Sequence, residues 1–82
     1  MVMVEYNPSF EATIKKIKHP ELKERIIKQI KKILASPEIG KPMRFGRKNT
    51  REVYLAPFRL SYLYLKEEEK IVFLELYHKD EQ

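Results

Sequence analysis

The sequence predicts an α+β domain: an N-terminal strand, a two-helix hairpin, then a mainly antiparallel sheet of three to four strands carrying the helices on one face. Three observations predict it. An apolar stripe at helical spacing runs from Leu22 to Leu34. Residues 51–78 are dense in β-branched and aromatic side chains, in runs broken by turn residues. Those turns are too short for a crossover, so successive strands must be antiparallel neighbours. With 82 residues, the chain (1–82) makes one small domain with one modest core.

Residues 2–6 (VMVEY) read as the first strand. Asn7-Pro8 is a helix start, an N-cap residue followed by proline where its missing N–H costs nothing. Phe10, Ile14 and Ile17 then recur at helical spacing to about Lys18. His19-Pro20 breaks this helix and starts the second, whose stripe is Leu22, Ile26, Ile27, Ile30, Ile33 and Leu34. Glu24 and Lys28 form an i,i+4 pair in the favourable order. Ser36-Pro37 ends the helix. The connector 37–49 holds both glycines and two of the five prolines, with brief strand pairing expected around 43–45. Strands are expected over 51–56, 58–66 and 70–78. Ala56-Pro57 makes the first tight connection, and Glu67-Glu68-Glu69 a second that charge keeps in water. In the last strand Val72, Leu74 and Leu76 share one face, read as core-facing, and Ile71, Phe73, Glu75 and Tyr77 the other. Residues 58–65 are apolar on both faces except Arg59 and Ser61, which predicts a central, doubly covered strand.

Composition narrows the function. The chain has no cysteine, so disulfides and thiolate metal sites are excluded. No apolar run approaches the ~18 residues of a membrane span, and residues 1–6 are too short and too acidic for a signal peptide. The expectation is a cytoplasmic protein with no membrane association. Abundant Lys, Glu and Ile with scarce Asn, Gln, Cys and Trp fit a thermophile. The net charge of +5 is unevenly placed: residues 15–51 carry 13 cations and three anions, +10 locally, leaving −5 elsewhere. Such segregation favours a polyanion or an acidic protein partner, though a solvated lysine-rich helix face has the same composition.

Few side chains can do chemistry. Arg59 interrupts an apolar strand; a guanidinium there either clamps a phosphate or forms a structural salt bridge, to Glu52 or Glu75 across the sheet. His78, one of two histidines, ends the last strand and is a candidate general acid or base, or simply a polar strand end. Its parity places it on the core-facing side, opposite to Arg59 unless twist, register or a bulge intervenes. Tyr77 and Lys79 flank it. His19 reads as a cap or turn residue. Lys41, Arg44, Arg47, Lys48 and Arg51 are a candidate nucleic-acid-binding cluster or a solvated loop. There is no Gly-rich phosphate loop, HExxH, His/Cys ligand set or serine-nucleophile motif, so no metal or cofactor is expected.

With these elements in order, the sequence resembles the RelE/ParE superfamily of toxin–antitoxin systems over nearly its whole length. The resemblance is carried by F-R-L-S-Y at 58–62, similar to that family's Y-R-L-x-Y strand, by L-Y-H-K at 76–79, and by the linker S-P-E-I-G-K-P at 36–42. It implies a RelE-like fold and a ribosome-dependent endoribonuclease that cuts mRNA, inhibits translation and is neutralised by a cognate antitoxin. Arg59 falls at the family arginine that stabilises the cleaved phosphate, His78 at the near-terminal histidine of the YoeB-like branch, and Lys79 near a cation RelE uses. Where RelE has two lysines before its arginine this chain has Glu52 and Tyr54; RelE's catalytic tyrosine lies on a C-terminal extension, whereas this sequence closes at Gln82. Where YoeB has a glutamate after G-K-P, it has Met43. The expectation is a metal-independent endoribonuclease acting on ribosome and mRNA through Arg59, His78, Lys79 and Tyr77. An inactive RNA- or ribosome-binding relative and a ParE-like gyrase inhibitor are the alternatives.

Overall fold

The computed structural model describes residues 2–43 and 48–78. The order is β1 (Met3–Tyr6), α1 (Pro8–Lys16), α2 (Pro20–Ala35), β2 (Lys41–Pro42), β3 (Thr50–Leu55), β4 (Phe58–Leu65), a 3₁₀ turn at Lys66–Glu68 and β5 (Lys70–His78). All strands join one five-stranded sheet in the order β1-β5-β4-β3-β2. Four of these strands follow the helices, at the upper end of the three to four expected, and the N-terminal strand joins them as the fifth. β1 pairs parallel with β5, opposite the acidic turn; the other pairings are antiparallel. The brief strand of the connector lies at Lys41–Pro42, slightly before the expected 43–45, and Met43 continues its ladder by donating to the Thr50 carbonyl at 3.0 Å.

Local chemistry sets the helix ends as read. Asn7 and His19 hold the N-cap positions in extended conformation, each followed by proline, and neither uses its side chain as a cap. Both helices bury apolar residues against one sheet face. Phe10 from α1 stacks on Phe73 at 5.6 Å, and Tyr6 completes a three-ring cluster at 5.4 Å from Phe73 and 6.0 Å from Phe10. Ile26 and Ile33, two turns apart on α2, enter the same core as Leu55, Leu60, Tyr62, Ile71, Phe73 and Leu76. Among the described residues, no helix is long and apolar enough to cross a membrane.

β4 is central, as expected, but its second face is not covered by a helix: Leu63 and Leu65 there are only half-buried. The larger correction concerns β5. Ile71 and Phe73 are fully buried in the helix-side core, not displayed on the open face. Leu76 is also buried, although its parity is opposite. A bulge reconciles them. Tyr62 pairs with Phe73 and Ser61 with Glu75, so Leu74 has no partner across β4. The carbonyl of Leu74 accepts a hydrogen bond from Ser9 Oγ of α1 at 3.1 Å. A regular ladder would bury either Phe73 or Leu76; the extra residue lets both face the helices.

Candidate functional site on the open sheet face

The uncovered face gathers side chains from three adjacent strands. β3 supplies Glu52, β4 supplies Arg59 and β5 supplies Tyr77. Register brings them together: Arg59 lies directly opposite Tyr77, and Glu52 opposite Ser61, one alternation along the same face. Arg59 Nη1 donates to Glu52 Oε1 at 2.9 Å, and the Tyr77 hydroxyl donates to Glu52 Oε2 at 2.8 Å. Both carboxylate oxygens are thus engaged, each by a donor from a different strand. The Arg59 Nε is buried with no hydrogen-bond partner. Side-chain exposures of 34% for Arg59 and 22% for Glu52 leave the pair within reach of solvent. An open recess of about 400 Å³ adjoins them, lined also by Ile39, Lys41, Val53 and Tyr54. Its size suits a small polar ligand.

The salt bridge anticipated between Arg59 and Glu52 is therefore present, and Glu52 is the residue that sequence reading left outside the site. Its signal was available: a carboxylate two positions before Tyr54, on the strand that pairs with Arg59. Tyr77 joins Arg59. His78 does not; it pairs with Phe58, sits edge-on to that ring at 5.6 Å, and shares the helix-covered face with Leu60 and Leu76. Lys79, Arg44 and Arg47 lie outside the described residues. Lys41 and Lys48 are exposed beside the recess and the β3 edge. Among the described residues, no group of three or more His, Cys, Asp or Glu side chains is arranged to hold a metal ion.

Arg51 has a structural engagement of its own. On the helix face, its Nη1 donates to the carbonyls of Glu38 at 3.0 Å and Gly40 at 2.7 Å, pinning the linker that follows α2. Tyr62 pins the same linker from beneath. Its hydroxyl accepts from the Gly40 amide at 2.9 Å and donates to the Pro37 carbonyl at 2.6 Å. Burial pushes the Tyr62 phenol above the usual tyrosine range, against smaller lowering effects of the Gly40 N–H and the Arg51 charge. Gly40 is needed for this approach: a Cβ there would stand 2.7 Å from the Tyr62 oxygen and 3.0 Å from the Glu52 carbonyl. The clamp holds β2 against β3 and so fixes the wall of the recess.

Comparison with known proteins follows the architecture. Residues 4–82 match the family model described as the ParE toxin of the type II toxin–antitoxin system parDE. A search of curated protein sequences finds no match. Several solved structures share the fold at low identity. A chain of the intact RelBE toxin–antitoxin complex of E. coli superposes with a TM-score of 0.80 at 16% identity, covering 95% of this chain and 96% of that one. A chain of the RelBE2 toxin–antitoxin complex of Mycobacterium tuberculosis gives 0.79 at 20% identity, covering 95% and 98%. The YoeB/ParE toxin of Agrobacterium tumefaciens gives 0.81 at 12% identity, covering 94% and 98%. These structures bear out the RelE-like α+β fold, and the family match over almost the entire sequence makes the chain a member of the RelE/ParE superfamily of type II toxins.

Proposed function

We propose that this toxin is an endoribonuclease that cleaves mRNA on the ribosome, using Arg59 and Tyr77 to hold the scissile phosphate. The observation that carries the reading is the convergence of two hydrogen-bond donors, one cationic and one phenolic, on two oxygens of a single anion. In the free protein that anion is the Glu52 carboxylate. A phosphodiester presents two non-bridging oxygens to the same donors. A guanidinium fixed on a central strand is well suited to stabilise the extra negative charge of a pentavalent phosphorus. The reacting nucleophile is the 2′-hydroxyl of the RNA itself. Lys41 borders the recess, and the basic segment around it steers the RNA backbone.

Restraint by an antitoxin is the second part of the proposal. Between α1 and α2 runs an apolar groove floored by Phe10, Ile14 and Ile26, edged by half-exposed Ile27 and rimmed by Lys15, Lys23 and Glu11, a rim of net positive charge. An amphipathic partner segment with acidic flanks complements it in shape and charge. The relatives solved as toxin–antitoxin complexes support such a partner.

The test is cleavage of mRNA on translating ribosomes by purified protein, with a gyrase supercoiling assay in parallel. The reading expects cleavage at defined positions, no effect on supercoiling, and a loss of about 10²–10³-fold on Arg59→Ala. Inhibited supercoiling with intact mRNA would instead establish the activity implied by the family model's ParE description.

A further inference from the structure

From this geometry we infer that Glu52 is the proton acceptor for the RNA 2′-hydroxyl. The inference rests on the endoribonuclease reading and adds the group that the reading lacks. Transesterification needs a base, and the expected one, His78, stands on the helix-covered face beside Phe58. Glu52 is the carboxylate in contact with both phosphate-binding donors, on the open face and next to the recess.

Its placement has the features of a positioned base. It projects from the middle of β3, a strand paired on both sides, so its backbone is fixed. Both oxygens already accept one hydrogen bond, which orients the carboxylate, and each retains a second lone pair. When a phosphate takes the Arg59 and Tyr77 donors, the carboxylate is released within a few ångströms of the phosphate it has yielded to, where the adjacent ribose lies. The charged and titratable groups facing it are Arg59 and Tyr77 by hydrogen bond, Lys41 as its register partner on β2, and Tyr54 and Glu75 on the same face. No helix packs against this face among the described residues.

The step balances as follows. Glu52 takes the proton from the 2′-hydroxyl, and the 2′-oxygen forms a bond to phosphorus. The bond from phosphorus to the 5′-oxygen breaks, its electron pair stays on that oxygen, and solvent protonates it. The products are a 2′,3′-cyclic phosphate and a 5′-hydroxyl end. Arg59 and Tyr77 bind the non-bridging oxygens throughout.

Single-turnover cleavage of ribosome-bound mRNA across pH, comparing wild type, Glu52→Gln and Glu52→Asp, tests the assignment. Glutamine keeps the size and an acceptor oxygen but removes the base. The expected result is a fall in the cleavage rate of about 10²–10⁴-fold with loss of the rise in rate on the acid side. Aspartate, its carboxylate set back by one methylene, should retain that rise at a rate reduced at least about tenfold. Cleavage by Glu52→Gln at or above the wild-type rate would overturn the inference and reduce Glu52 to a counter-ion that competes with substrate. Should the glutamine variant fail to fold, an unchanged rate in Glu52→Asp overturns it equally. A wild-type protein that leaves mRNA intact defeats the endoribonuclease reading itself, whereas cleavage that persists in Glu52→Gln defeats only the role of Glu52.

Discussion

Removing the Tyr62 hydroxyl tests whether the linker clamp is a source of stability. Tyr62→Phe keeps the ring, which is fully buried against Phe73. It deletes one acceptor and one donor. The Gly40 amide is buried, so its N–H would be left without a partner, at about 1–3 kcal/mol. The Pro37 carbonyl is half-buried and regains water, so its loss adds about 0.5–1 kcal/mol. The total is about 1.5–4 kcal/mol, or a fall of about 6–30 °C in Tm for a domain of this size. Urea and thermal denaturation followed by circular dichroism would measure it. The pH dependence gives a second, independent signature. Burial raises the Tyr62 phenol above its unfolded value of about 10. Stability from this group is therefore complete below pH ~10 and is lost as pH rises through the folded value, because the unfolded chain releases the proton first. The slope reaches at most about 1.4 kcal/mol per pH unit. Subtracting the Tyr62→Phe profile from that of wild type isolates it. A stability change under about 0.5 kcal/mol, with no difference in alkaline slope, would refute the clamp.

Other outcomes follow from the same structure. Gly40→Ala should cost about 1–3 kcal/mol, because the new methyl meets a backbone carbonyl as well as the Tyr62 ring; a melt unchanged from wild type would contradict it. Phe10→Ala should cost about 3–5 kcal/mol by emptying the space between α1 and Phe73, read by urea denaturation. Ile27→Asp should weaken capture of an acidic antitoxin segment by tenfold or more, about 1.4 kcal/mol, with little change in Tm, since the side chain is 52% exposed; calorimetric titration distinguishes the two effects. In cleavage assays Glu52→Gln should lose far more rate than His78→Ala, and the reverse order would return the base to the histidine.

The helical hairpin was legible because its signals are local. Proline at each start, an apolar stripe at Leu22, Ile26 and Ile33, and Ser36-Pro37 at the close all act within a turn or two. Strand order was legible through the short connections at Ala56-Pro57 and the acidic turn. The faces of β5 were not. In K-I-V-F-L-E-L-Y-H both parities are apolar, so alternation cannot decide which set is buried. The decision is made at a distance, by Phe10 claiming Phe73 and by Ser9 satisfying the carbonyl of the bulged Leu74. The site was half legible for a related reason. Arg59 stands out as a cation in an apolar strand, and Glu52 was a visible cross-strand partner. That Tyr77 shares that carboxylate depends on the bulge. The Gly40–Tyr62 clamp joins residues 22 positions apart through a single hydroxyl, and nothing local announces it.

The bulge at Leu74 makes residue count, not residue type, the determinant of the chemistry beside the arginine. Counted from the buried Phe73 without an extra residue, alternation would turn Tyr77 inward and send His78 out to the open face. With it, a phenol stands next to Arg59 and an imidazole is turned away. Without it the register would also set Leu76, not Tyr77, opposite Arg59, so the residue beside the arginine is chosen by a slip rather than by substitution. A one-residue deletion between the bulge and Tyr77 would bring His78 opposite Arg59 and trade a tyrosine site for a histidine site. Aligning chains of this architecture by their terminal motif alone would equate side chains that lie on opposite faces of the sheet.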